Sequence, residues 1–278
     1  YAWVYPDATT SYVSTSTDLG LTWGAPEPLA ALGASSPSLC SLTASGGHGI
    51  QLDSGRLLVP GYHVRNCTKL STDIVEMGHS WLSSPPAPPL AGGGDRRQPR
   101  RWELSTGFGY GVAEQSYVQL FPPEAGKQQR VAAGPLPVRA TFRVDAPSAC
   151  NCTASPKGGM VLAVPKCRRT ALSTDEGLSF SEYWDQSSLP DPGCKGGYTR
   201  AEKFRAIVVG NDDDSHVRQN VTVSVSLDNG LSYPYKHTVW AGLGGYVDVT
   251  MVSETLVGVL YENDMCSMDF QTVDIRKV

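Results

Sequence analysis

The chain has 278 residues, 29 of them Gly and 20 Pro, with 40% hydrophobic and 18% charged residues. That much Gly and Pro excludes a coiled coil or helical bundle, and the spread of apolar residues excludes a disordered chain. No apolar run reaches the ~18 residues of a membrane-spanning helix, and a net charge of −4 makes nucleic acid an unexpected partner.

In chain order, short β-type runs bounded by turn residues dominate. The chain opens on an apparent strand at residues 1–5, which reads as a cut through a longer protein. Further strands are expected at 56–62, 116–121, 159–164, 205–209, 220–227, 237–240, 246–252, 255–261 and 269–274. Helical periodicity is scarce, so the expected fold is all-β: a sandwich, barrel or propeller. Residues 83–101, with Pro pairs, three consecutive Gly and four Arg (Arg96, Arg97, Arg100, Arg101), read as an exposed insertion within one domain spanning 1–278. Seven Cys (40, 67, 150, 152, 167, 194 and 266) show no metal spacing, and their pairing stays open. Acceptor sequons at Asn66, Asn151 and Asn220 favour a secreted, lysosomal or cell-surface protein. Asp212-Asp213-Asp214 reads as an acidic turn in preference to a Ca²⁺ site.

An internal repeat follows the form S-x-D-x-G-x-[ST]-aromatic. It occurs at 16–23, 173–180 and 226–233, with a degenerate copy at 76–81. Asp and Ser oxygens suit the backbone N–H groups of a tight turn, and Gly suits a left-handed position within it. The aromatic then starts the next strand and packs beneath the hairpin. The role expected of these Asp residues is structural.

These turns resemble the Asp boxes of the exo-α-sialidase (neuraminidase) family, a six-bladed β-propeller. Residues 47–60 (G-H-G-I-Q-L-D-S-G-R-L-L-V-P) closely resemble the segment following the family's second Asp box. The resemblance continues to the C-terminus, with insertions near 83–101 and 143–160. It implies removal of terminal sialic acids from glycoproteins, glycolipids or oligosaccharides, without a cofactor. Sialic acid carries a carboxylate on its anomeric carbon, which would repel a carboxylate nucleophile; sialidases use a Tyr instead. A phenol needs a base to attack, and guanidinium groups suit the sugar carboxylate.

Carried over by position, the resemblance makes Tyr246 the nucleophile and Glu114 its base, although Ala113 stands where the family has Asn. It makes Arg218 one arginine of the carboxylate clamp. Arg139 is the preferred second clamp arginine, with Arg168 as the other candidate, and Tyr62 matches a pocket-lining tyrosine. The family's first clamp arginine and acid/base Asp precede its first Asp box and have no match here. The first blade is therefore expected to be missing or incomplete, and the chain to carry half a catalytic site. Two other readings stay open: a sialidase-like lectin, and an Asp-box scaffold in which Tyr246, Glu114 and Arg218 would not converge.

Overall fold

A computed structural model describes residues 2–4, 12–28, 40–44, 47–64, 76–83, 102–105, 112–122, 135–144, 167–264 and 266–278. Every paired strand in it is antiparallel to its neighbour. The first sheet joins β1 (Ala2–Val4), β2 (Tyr12–Ser14) and β3 (Glu27–Pro28). The second runs β4 (Cys40–Ala44), β6 (Leu57–Val64), β7 (Glu76–Ser83) and β8 (Trp102–Leu104), with β5 (Ile50–Gln51) also on β6. The third holds β9 (Val112–Gln119), β10 (Val138–Val144), β11 (Cys167–Ser173) and β12 (Trp184–Pro190). The fourth holds β13 (Gly197–Ala201), β14 (Ala206–Asp212), β15 (Gln219–Ser226), β16 (Tyr235–Met251), β17 (Leu256–Asn263) and β18 (Ser267–Asp274). Helical structure among the described residues is two single 3-10 turns, Glu202–Phe204 and Ile275–Lys277.

Strands buried on both faces stack the second, third and fourth sheets in sequence order. Successive side chains of a strand point to opposite faces. Tyr117 accordingly joins a core with Leu52, Leu58, Val138 and Ala171, while its neighbour Val118 joins a second core with Leu189, Tyr198 and Val209. Ile207 enters that second core, and Val208 enters a third with Val223, Val249 and Val259. The second sheet thus packs on the third and the third on the fourth, while the third core lies between the two halves of the fourth sheet, which part where β16 changes partner. The all-β expectation holds, and the stacking is the one a propeller requires.

The three full Asp boxes fold alike. Asp18, Asp175 and Asp228 each accept the amide of the residue four positions on, at 2.9 Å. The hydroxyls of Ser16, Ser173 and Ser226 accept the amides of Gly20, Gly177 and Gly230 at 2.8, 2.7 and 2.7 Å. Each turn needs two consecutive left-handed residues, Leu19-Gly20, Glu176-Gly177 and Asn229-Gly230, which is the pattern of a type I′ hairpin turn. Phe180 stacks on Tyr117 at 5.6 Å, and Tyr233 is buried; Trp23 stays half exposed, contrary to the expected packing. The degenerate copy is not a turn. Residues 76–83 form the uninterrupted strand β7, paired with β6 from Val64↔Glu76 to Leu58↔Leu82, and the glycine of that copy sits mid-ladder.

Burial raises the Asp175 and Asp228 carboxyls, but the hydrogen bonds they accept outweigh it and both end below the ordinary value. Their stabilising contribution is present above pH ~4 and fades as pH falls below it. Asp175→Ala or Asp228→Ala is expected to lower stability by about 1–2 kcal/mol each, read from urea midpoints at pH 7. Equal midpoints for variant and wild type would deny these turns their locking role.

Candidate active site

The site forms where strand pairing is interrupted. The β9–β10 register slips between Thr141 and Arg143, opposite Glu114. In β16 the partner changes from β15 to β17, and the new register slips between Gly245 and Asp248, leaving Tyr246 in the bulge. A third slip in β15, at Asn220, follows Arg218. Glu114, Tyr246 and Asn220 have φ of +52°, +47° and +59°. Left-handed backbone costs a non-glycine residue about 1–2 kcal/mol, and such strain concentrates at functional sites. Bulges also re-aim a side chain out of the regular alternation.

Arg218 stacks over the Tyr246 ring, its guanidinium carbon 5.3 Å from the ring centroid. The same guanidinium donates to the Gly193 carbonyl at 3.3 Å and lies within electrostatic range of Arg143. Arg143 donates to Glu114 at 2.8 Å, with both side chains mostly buried. Lys195 adds another cation near Glu114; its ammonium contacts the Val247 carbonyl at 3.2 Å and Asp248 at 3.5 Å. Burial lowers Lys195 despite Asp248. Burial raises Asp248, but His48, 2.9 Å away, and Lys195 more than reverse this.

Asp212 lies at the end of β14 with no exposed surface. Burial first, and the nearby Asp191 second, push its carboxyl up to about 8, so it is protonated at neutral pH. Asp213 instead pairs with Lys236 at 2.6 Å, and Asp214 accepts from His216, Val217 and Gln219, so the acidic triplet is a strand end and a turn. A raised acid binds its proton more tightly folded than unfolded, so stability falls as pH rises from 3.8 toward about 8. Asp212→Asn is expected to remove that slope and to stabilise the protein at pH 7.5 by on the order of 3 kcal/mol. Thermal melts from pH 4 to 8 read this; parallel curves for both proteins would contradict it.

The other expected residues fall differently. Arg139 is 2% exposed, with Trp184 at 5.4 Å and its side chain against Gly230 of the third Asp box. It lies four residues along β10 from Arg143, roughly 13 Å in an extended strand. Its neighbours are Trp184 and the third Asp box, whereas Arg143, which sequence reading assigned to an insertion, is the arginine that reaches Glu114. Arg168 is fully buried and bound to Asp191 at 2.6 Å and to the Thr141 hydroxyl at 2.9 Å. It is a brace for the loop before β13. Tyr62 pairs with Gly78 in β6, and its side chain lies outside the described residues, as do the 84–100 stretch and the expected 159–164 strand. Arg143, Cys194, Lys195 and Asp212 were missed. The only signal available for Arg143 was its spacing from Glu114, which the long intervening segment obscures.

No protein-family model matches the chain. A sialidase of Bacteroides fragilis is 26% identical over 122 residues, covering 40% of this chain and 22% of that protein. Sialidase-4 of Mus musculus is 50% identical over 50 residues, covering 17% and 10%. The matched stretches span less than a quarter of either relative. Among solved structures, the Hadza microbial sialidase Hz136 superposes with a TM-score of 0.71 at 19% identity, covering 97% of this chain and 44% of that one. NanB sialidase of Streptococcus pneumoniae (a K499G mutant) gives 0.61 at 13%, covering 96% and 36%. The chain is similar in sequence to sialidases over these stretches and shares the all-β fold of these solved structures.

Proposed function

We propose that this protein is an exo-sialidase that cleaves terminal sialic acids from glycoconjugates with retention of configuration. Arg218 and Arg143 bind the sugar carboxylate, and Glu114 takes the phenol proton. The Tyr246 oxygen forms a bond to the anomeric carbon as the bond to the leaving oxygen breaks. Water later displaces the tyrosine and leaves free sialic acid. The observation that carries this reading is the meeting of Arg218 with Tyr246, and of Arg143 with Glu114, at two left-handed bulges. A Glu–Arg contact here does not exhaust the clamp, since a guanidinium has five N–H donors. A disulfide at Cys167 supports an oxidising compartment, in line with a secreted, lysosomal or cell-surface location.

The clamp predicts that N-acetylneuraminic acid binds and its methyl ester does not. Arg218→Met and Arg143→Met are each expected to weaken binding of the acid at least ~10-fold, the scale of a lost charge-assisted hydrogen bond. Titration followed by NMR measures both. Equal binding of acid and ester would remove the carboxylate from recognition and with it the clamp.

A further inference from the structure

Tyr246 does not hold its left-handed bulge alone. Its backbone N–H points at the thiol sulfur of Cys194, 3.2 Å away. The next amide, of Val247, bonds to the Lys195 carbonyl at 3.3 Å, and the Lys195 ammonium returns to the Val247 carbonyl. Gly193, one residue before the cysteine, receives Arg218 on its carbonyl. Residues 193–195 thus touch the nucleophile candidate, its neighbour and one clamp arginine in succession.

This loop is unusually well held. Asp191 accepts the amides of Gly193 and Cys194 at 2.8 and 2.9 Å through one oxygen. Its other oxygen binds Arg168, and Arg168 also donates to the Cys194 carbonyl at 3.0 Å. Cys194 has no exposed surface, and burial pushes its thiol up to about 12. It is therefore a neutral thiol at physiological pH, with no thiolate chemistry of its own. Neither oxygen of Asp212 meets a well-aligned N–H or O–H; the Cys194 thiol is its hydrogen-bonding neighbour. Gly245 makes room for the sulfur, since a Cβ there would lie 3.1 Å from it.

We propose that Cys194 is a positioning residue for Tyr246: seated on the Arg168–Asp191 brace and set against Asp212, its sulfur holds the Tyr246 amide and so fixes the bulge that presents the phenol beside Arg218. This rests on the reading of Tyr246 as the nucleophile, but its test needs no turnover. Amide hydrogen exchange is followed by NMR in the 278-residue chain, with the Val247 amide as internal reference. In Cys194→Ala, exchange at Tyr246 is expected to accelerate about 10-fold relative to Val247, the scale of one lost hydrogen bond. The Tyr246 ¹³Cζ resonance, assigned by its loss in Tyr246→Phe, should shift as well. Cys194→Ser supplies an oxygen acceptor at the same place and should restore both signals toward wild type. A Tyr246 amide in Cys194→Ala that exchanges as in wild type overturns the proposal, and so does a serine variant that behaves like alanine. If the positioning result holds but Tyr246→Phe still cleaves a sialoside, the proposed function fails alone.

Discussion

Tyr246→Phe is expected to abolish sialoside cleavage, by at least ~10³-fold in kcat, while leaving substrate affinity within about two-fold. The phenyl ring preserves what the tyrosine ring does in the ground state. It still lies under Arg218, whose guanidinium stacks at 5.3 Å, and the backbone N–H to Cys194 is untouched. What disappears is the hydroxyl, a hydrogen-bonding neighbour of Arg218 and the oxygen that bonds to carbon; that bond is made only on the way to the transition state, so most of the loss falls on kcat. Released fluorophore from a 4-methylumbelliferyl sialoside measures it. Retained kcat would take Tyr246 out of the mechanism.

The largest stability effect is expected at Asp191. Its carboxylate neutralises Arg168, which is entirely buried, and also ties down two amides of the loop. Removing one partner of a buried ion pair strands the other charge and typically costs about 3–5 kcal/mol. Asp191→Ala should therefore unfold at a much lower urea concentration. Arg168→Met combined with Asp191→Leu removes both charges and should recover part of the loss, because no charge is left stranded even though the Gly193 and Cys194 amides lose their acceptor. If Arg168 instead served chiefly to hold the sugar, Asp191→Ala would weaken ligand binding and leave the urea midpoint within about 0.5 kcal/mol of wild type.

What could be read from the sequence depended on whether a signal was local. The Asp boxes were legible because each lock closes within eight residues, and their chemistry is spelled out by Ser, Asp and Gly. The strands of the fourth sheet were legible because Val, Ile and Leu recur in β14, β15 and β17. Even there, two expected strands at 237–240 and 246–252 proved to be one, β16, since its Gly-rich middle reads as a turn yet continues as backbone changing partners. β11 escaped notice because its buried interior includes Arg168 and Arg169, a basic pair that gives no strand signal in the sequence. Only a long-range partner, Asp191 or Asp185, makes such arginines interior.

The same locality governs the site. The proposed roles of Tyr246, Glu114 and Arg218 come from flanking residues that resemble a family pattern. Arg139 was preferred over Arg168, and Arg143 was assigned to an insertion, because the end of β10 could not be placed; the bulge opposite Glu114 decides which arginine lies beside it, and a bulge leaves no composition of its own. Cys194 and Asp212 carry no motif. They matter through contacts spanning 52 residues in the case of the Tyr246 amide, which only the folded chain creates.

The proposed mechanism is tested most directly by where a sialosyl group becomes attached. A 3-fluorosialosyl fluoride has a leaving group that departs without a proton donor, while the second fluorine slows hydrolysis of the adduct by disfavouring positive charge at the anomeric carbon. Labelling therefore depends on the phenol, the base and the guanidinium groups alone. Peptide mass mapping of the treated 278-residue chain should find one fluorosialosyl group on Tyr246, and none in the Glu114→Ala variant over the same time. An adduct on a carboxylate such as Glu114 or Asp248, or an unlabelled Tyr246 in a chain that binds the reagent, would contradict the account.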